Sequence, residues 1–266
     1  MSSNNKKETA VVTGASSGLG KIFADRLAKR GYDLILVARR KERLDDIAAT
    51  LQSKYGVKVT NLVADLSLVA DLEKVADYLK NDESITLLIN NAGTAIFAPS
   101  TKTSAAQQKE MVDLNVTALM HLSNAVLPRF IEKNEGTLIN VASVLGFYTL
   151  PFSSVYSGTK GFVIQYTRGL QEEVKGTSVR VQLLSPATTA TEIWDVSGVP
   201  LSALEQSTIM TTEDCVDAAL AGLDKGELAT YPSVNDENLI NAYEDARLKL
   251  FGGAQSGKPA ERYGKV

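Results

Sequence analysis

Short apolar runs rich in β-branched residues alternate along this chain with longer stretches of helical periodicity. That alternation is the strongest constraint on its fold. Thr9–Thr13, Asp33–Ala38, Val57–Ala64, Ile85–Asn90, Thr137–Ala142, Ser178–Leu184 and Glu227–Tyr231 read as strands. Leu19–Lys29, Lys41–Lys54, Leu68–Lys80, Ser104–Glu132, Val155–Val174, Thr212–Leu223 and Glu237–Leu250 read as helices, with Pro128 expected to end or kink the fourth. Strands apolar on both faces and separated by helices must be covered on both sides, which makes the sheet parallel. Right-handed crossovers then give an α/β fold, a doubly wound parallel sheet of about seven strands with helices on both faces. Residues 1–251 are expected to form one domain. The segment 186–210 lacks periodicity and reads as a lid loop, and 252–266 as a flexible tail or an arm on a neighbouring subunit.

Composition narrows the function. A chain of 266 residues and 28.6 kDa is too short for two full enzyme domains. A single cysteine, Cys215, excludes an internal disulfide and a cysteine-rich metal site. A single histidine, His121, reads as a packed helix residue and argues against a histidine-ligated metal, so no metal is expected. The net charge of −3 argues against nucleic-acid binding. No apolar run approaches the ~20 residues of a membrane span. The opening MSSNNKKE has no apolar region after its lysines, unlike a secretory leader. These features point to a soluble cytoplasmic protein.

The first strand runs straight into Thr13-Gly14-Ala15-Ser16-Ser17-Gly18-Leu19-Gly20, and a helix follows. Glycines there permit positive φ, close approach of backbone to a ligand and tight packing of helix on sheet. The helix N-terminus offers free N–H groups to a phosphate. In this position the cluster points to a dinucleotide rather than to a plain turn.

The Gly-x3-Gly-x-Gly spacing, together with Asn90-Asn91-Ala92-Gly93 after the fourth strand, resembles the short-chain dehydrogenase/reductase family. Ser143 after the fifth strand, Tyr156-Ser157-Gly158-Thr159-Lys160 thirteen residues later, and Asn115 on the preceding helix extend the match over roughly residues 8–190. The resemblance implies a Rossmann-like fold with a nicotinamide cofactor across the C-terminal ends of the strands. Gly14, Ser16, Ser17, Gly18, Leu19, Gly20, Asn91, Ala92 and Gly93 are then candidate cofactor residues. Asp65-Leu66 resembles the family's adenine-contacting pair, although Asp65 could equally cap a helix. The resemblance further implies a homo-oligomer, a dimer or tetramer, formed through the two long helices that carry Asn115 and Tyr156.

The second strand ends Val37-Ala38-Arg39-Arg40. NAD-binding members of such folds place a carboxylate there for the ribose 2′-OH. Asp33 lies at the wrong end of the strand. An arginine's planar fork instead fits a 2′-phosphate, so NADP(H) is the expected cofactor and Arg39 and Arg40 its readers. The plain alternative is that both arginines cap an exposed loop.

Tyr156 and Lys160 are four residues apart at a helix start and share one face. A cation one turn away is expected to lower the phenol pKa from its usual ~10. Ser143 can donate a hydrogen bond to a substrate carbonyl or alkoxide. By resemblance, Lys160 bonds the nicotinamide ribose and Asn115 holds a water in a relay ending at Lys160. Tyr156 would protonate the substrate oxygen as hydride reaches carbon. Alone, each residue has a bland structural reading; together, in this order, they are a catalytic set. Pro186-Ala187-Thr188-Thr189-Ala190-Thr191 resembles a segment holding the nicotinamide carboxamide, through Thr189 backbone and the Thr191 hydroxyl. Ala187 replaces the usual glycine and is strained if that position needs positive φ. Trp194 is expected to wall the substrate pocket as part of the lid, the alternative being a core or interface ring.

The expected function is thus NADPH-dependent reduction of a small to medium, apolar ketone or aldehyde, reversible as an alcohol dehydrogenase. An NAD-dependent alcohol or sugar dehydrogenase is the first alternative, and a catalytically silent NADP-binding sensor or scaffold the second. The intact Asn-Ser-Tyr-Lys set argues against the silent protein. Length and glycine spacing argue against a carbohydrate epimerase.

Overall fold

A computed structural model describes residues 7–264, so the first six residues, on which the reading of the N-terminus partly rests, lie outside it. Residues up to Pro232 form one compact unit, and Ser233 onward a second, smaller one. In the first unit the strands β1 (Thr9–Thr13), β2 (Asp33–Ala38), β3 (Val59–Val63), β4 (Ile85–Asn90), β5 (Thr137–Val141), β6 (Arg180–Leu184) and β7 (Ala229–Thr230) form one sheet. Its order is β3-β2-β1-β4-β5-β6-β7, and every pairing is parallel.

Alternation along the strands builds two apolar layers. Ala10, Val12, Leu34, Leu36, Leu87 and Ile89 face one side. There they meet Phe23 and Leu27 of α1 (Gly18–Lys29), Leu44 and Leu51 of α2 (Lys41–Tyr55) and Cys215 to Leu223 of α8 (Thr212–Lys225). Val11, Ile35, Val37 and Leu88 face the other side. They meet Leu72 and Leu79 of α3 (Val69–Asn81), Val126 and Phe130 of α5 (Leu119–Lys133) and Leu170 of α6 (Ser154–Glu173). Each Val, Leu, Ile or Phe among them contributes about 1.5–3 kcal/mol on burial. The doubly wound reading of the sequence is the fold observed.

Three expectations need correction. The long helix from Ser104 is not uniform. After a Ser104–Gln107 capping box it runs as α4 (Ala105–Val112), opens into a π-helical turn over Asp113–Ala118, and resumes as α5. The wide turn directs Asn115 inward, where it is 2% exposed. Pro128 neither ends nor breaks α5; Pro128 and Asn124, whose carbonyl loses its partner, both face solvent. The second unit begins at Ser233. The following α9 (Glu237–Ala254) buries none of its residues and extends through Gly252-Gly253, which were expected to be tail. Of the expected tail, residues 265–266 lie outside the described structure.

The strand order reverses between β1 and β4, and a cleft opens beyond their carboxyl ends. The glycine turn that follows β1 is tightly specified. Gly14 has φ +67°, and a Cβ on Gly20 would stand 2.3 Å from the Gly14 carbonyl oxygen and 2.7 Å from Asn91 Nδ2. Gly20→Ala is therefore expected to cost about 1–3 kcal/mol of stability, as overpacking against backbone does. Thermal unfolding of the two proteins measures it; an unchanged midpoint would mean that α1 can back away from the turn.

Candidate active site

The cleft has a volume of about 710 Å³ and draws on the carboxyl end of nearly every strand. Among the residues singled out in the sequence, Gly14, Ser16, Ser17, Gly18, Leu19, Arg39, Arg40, Asp65, Leu66, Asn91, Ala92, Gly93, Ser143, Tyr156, Lys160, Pro186, Thr189, Thr191 and Trp194 all line it. Gly20 does not; its role is the close packing of α1 on the turn. Asn115 sits behind the wall rather than in it. Its Oδ1 accepts the Thr94 N–H at 2.8 Å, and its Nδ2 donates to the Thr94 carbonyl at 2.9 Å and to Thr159 Oγ1 at 3.1 Å. Asn115 thereby ties the segment after β4 to the turn of α6 that carries Lys160.

Ser143 follows β5, and Tyr156 and Lys160 lie on the first two turns of α6. All three are buried. Ser143 hydrogen-bonds the Tyr156 hydroxyl. Lys160 Nζ donates to the Val141 carbonyl at 2.9 Å and lies 5.8 Å from the Tyr156 ring centre. The expectation that the lysine lowers the tyrosine pKa is not met. Burial pushes the Tyr156 phenol up to about 12, against the Ser143 hydrogen bond that works the other way. Burial also brings the Lys160 ammonium down to about 8. Desolvation sets the direction of both shifts. At neutral pH Tyr156 is a protonated phenol, and Lys160 is a cation that releases its proton more readily than an exposed lysine.

At the other end of the cleft, Arg40 donates to Ser16 Oγ at 2.9 and 3.2 Å and to Ser17 Oγ at 2.7 Å. Arg39 is 65% exposed at its side chain and reaches Asp65 at 3.5 Å. Asp65 caps Ser67, and with Arg39 this holds its carboxyl below the usual range despite partial burial. Ala187 has no positive φ, so the missing glycine causes no backbone strain. The Thr189 carbonyl accepts the Trp194 indole N–H at 2.9 Å.

Sequence reasoning missed several residues of the site, Phe152 of the cleft lining among them. Thr13 ends β1, and its hydroxyl accepts the N–H groups of Asn91 and Ala92 at 2.9 and 3.0 Å. Phe97 stands 5.3 Å from the Tyr156 ring and 5.5 Å from Trp194. Arg43 and Glu192 pair at the mouth of the cleft, 2.7 Å apart. Arg43 was legible as a third arginine one turn beyond Arg39-Arg40. Phe97, Glu192 and Thr13 carry no local signal.

The turn fits a dinucleotide: Gly14 and Ser16 to Leu19 line the cleft at the N-terminus of α1, which no side chain caps and whose N–H groups suit a phosphate. The comparisons agree. Residues 8–198 match the short chain dehydrogenase family model, and the chain belongs to that family. The chain is 32% identical over 188 residues to the very-long-chain 3-oxoacyl-CoA reductase-B of Danio rerio. That match takes in 69% of this chain and 60% of the zebrafish protein, so the chain spans about three fifths of this relative's length. Over 96% of its length it superposes on all of a short-chain dehydrogenase from Sphingobium yanoikuyae in complex with NADPH, with 41% identity and a TM-score of 0.92. Over 98% it superposes on all of the bulky-bulky ketone specific alcohol dehydrogenase from Comamonas testosteroni, with 35% identity and a TM-score of 0.90. No described helix is long and apolar enough to cross a membrane.

A pH profile tests the electrostatics. Lys160 is charged below about 8 and loses its proton above it. Turnover that draws on that proton, read as kcat/KM for the nucleotide because this ratio reports the free enzyme, should fall about tenfold per pH unit above that point. Lys160→Arg should move the break out of the accessible range. A flat wild-type profile up to pH 10 would show that the Lys160 proton is not drawn upon.

Proposed function

We propose that the chain is an NADPH-dependent carbonyl reductase acting on bulky, apolar ketones or aldehydes, reversible as an alcohol dehydrogenase. The observation that carries this reading is one cleft holding a buried Ser143–Tyr156–Lys160 set at one end and three arginines at the other. A reduced nicotinamide bound along the glycine turn would supply hydride to the carbonyl carbon. Gly14 to Leu19 would hold the pyrophosphate, and Asp65 and Leu66 the adenine. Arg39, Arg40 and Arg43 supply positive charge where a 2′-phosphate would lie. Asn91 to Gly93 and the segment Pro186–Thr191 would flank the nicotinamide half.

Ser143 then donates to the carbonyl oxygen and Tyr156 gives that oxygen its proton. Lys160, one turn on, returns a proton toward Tyr156, with Asn115 fixing the backbone beside it. Phe97, Phe152 and Trp194 offer an aromatic wall to the substrate, with Phe97 edge-on to the Tyr156 ring. That wall supports an apolar substrate, as does the likeness to the bulky-ketone dehydrogenase. The same reading has the enzyme working in the cytoplasm as a homo-oligomer, a dimer or tetramer. Met120 of α5 and Phe162 of α6, both solvent-facing on the two long helices, support that assembly.

NADPH should bind about ten- to a hundredfold more tightly than NADH, because a charge-assisted contact is worth ~1.5–3 kcal/mol. Arg39→Asp should erode the difference; equal affinities in the unmutated protein would exclude the NADP reading. Tyr156→Phe should lower kcat for an aryl ketone about 10²–10⁴-fold with NADPH affinity retained. Residual activity above a tenth would remove Tyr156 from the role of acid. Trp194→Ala should raise KM for bulky apolar ketones well beyond its effect on small polar ones; an equal effect on both would make the ring purely structural.

A further inference from the structure

The mouth of the cleft holds an ion cluster for which proton transfer has no use. Glu192 accepts from Arg40 at 2.7 Å and from Arg43 at 2.7 and 2.8 Å. The bond from Arg40, with that from Arg43 behind it, holds the Glu192 carboxyl below its ordinary range despite some burial. Arg40 also grips the Ser16 and Ser17 hydroxyls of the glycine turn. Glu192 therefore straps one loop to the turn and to the start of α2.

That loop leaves the sheet after β6 and returns at Met210. Its neck is closed by the Ala190 N–H to the Met210 carbonyl and the Met210 N–H to the Thr188 carbonyl, both 2.9 Å. Just inside the neck, Thr191 lies against Gly18: a Cβ there would be 3.2 Å from Thr191 Cγ2. Glu192 then precedes the short helix α7 (Ile193–Ser197), which carries Trp194. The strap thus pulls the first turn of the aromatic substrate wall down over the track along which a nucleotide would lie.

We propose that Glu192 competes with an adenosine 2′-phosphate for Arg40 and Arg43, so that filling the 2′-phosphate site releases the segment bearing Trp194. The proposal rests on the NADP reading and adds a specificity-determining residue and a coupling to it. A phosphate dianion placed on these two guanidiniums comes within a few ångströms of a carboxylate that is already ionised. Like charges this close repel, and more strongly in a partly enclosed cleft than in open water. Ser16 and Ser17 are neutral and can stay; Glu192 is the anion, and it sits on a loop. A nucleotide without the 2′-phosphate leaves the strap fastened. Coupling of this kind is reciprocal, so a loosened strap favours the 2′-phosphate as much as the phosphate loosens the strap.

The test uses the full chain at low ionic strength, with adenosine 2′,5′-bisphosphate and 5′-AMP as probes. Affinity is read by calorimetry, and loop position by the emission of Trp194, the only tryptophan. In the wild type the bisphosphate should bind more tightly than AMP and alter the emission, whereas AMP should leave it unchanged. Glu192→Gln should tighten the bisphosphate about three- to tenfold, that is by about 0.6–1.4 kcal/mol, with AMP affinity unaltered. Its free emission should resemble that of the loaded wild type and respond no further. Raising salt to about 0.5 M should narrow the gap between variant and wild type. If Glu192→Gln leaves the bisphosphate-to-AMP ratio unchanged or lowers it, the competition is overturned while the NADP reading stands. If the wild type binds both probes equally, the NADP reading falls and takes this inference with it.

Discussion

The molecule depends on the stitch between the ends of β1 and β4. Strand order reverses there, so no crossover helix covers the gap and the cleft opens. Past the end of the parallel ladder that pairs β1 with β4, the Thr13 hydroxyl and the Asn91 side chain join the two strand ends. Thr13 Oγ1 donates to the Ile89 carbonyl at 3.2 Å and accepts the N–H groups of Asn91 and Ala92, while Asn91 Nδ2 returns a bond to the Thr13 carbonyl at 2.9 Å. Thr13 is 1% exposed, so these bonds are made out of water, where leaving one partner unsatisfied costs about 1–3 kcal/mol. Asn91 in turn lies against Gly20, and Gly20 against Gly14. The phosphate-sized turn and the nicotinamide-side wall are therefore one packed object rather than two loops.

Behind the catalytic residues a second polar layer fixes the helices. Asn90 Nδ2 donates to Asn140 Oδ1 and Ser123 Oγ, both at 3.0 Å, and Asn140 Nδ2 donates to Thr167 Oγ1 at 3.1 Å. That chain joins β4 and β5 to α5 and α6. Buried networks of this sort rigidify what they join, although Asn90 Oδ1 itself finds no partner. Its consequence is electrostatic: α6 is held so close to the sheet that Tyr156 and Lys160 lose their water. Both are pushed toward the neutral form, which suits passing a proton from one to the other better than storing charge on either.

The sequence was legible wherever one residue type answers one local demand. Apolar runs between helical patterns specified the parallel sheet, and the glycine spacing located the turn after β1. Tyr156, Lys160 and Ser143 were legible because their chemistry needs those types at those strand and helix ends. The rest depended on distance in space. No periodicity marks Asp113–Ala118 as a π-helical turn, because the bonds that reward it run from Asn115 to Thr94 and Thr159. The sign of the Tyr156 shift was misread because adjacency to a lysine is visible in sequence and depth of burial is not. Phe97 and Glu192 are ordinary residues until the fold sets them beside Tyr156 and Arg43.

The apolar loop after β6 shows how such long-range placement divides labour. Three kinds of contact hold it. At the neck, two backbone bonds join Thr188 and Ala190 to Met210. Near its middle, the Phe97 N–H donates to the Ser197 carbonyl at 2.7 Å. At its start, Glu192 meets the arginines. The first two are neutral and between backbone groups, so side-chain chemistry in the cleft leaves them alone. The third is ionic, half-exposed and made by side chains, and an exposed pair of this kind contributes little to stability, about 0–1 kcal/mol. A contact that adds so little to folding and stands where charge would arrive acts on the position of the loop, and the neutral contacts supply the frame within which that position changes.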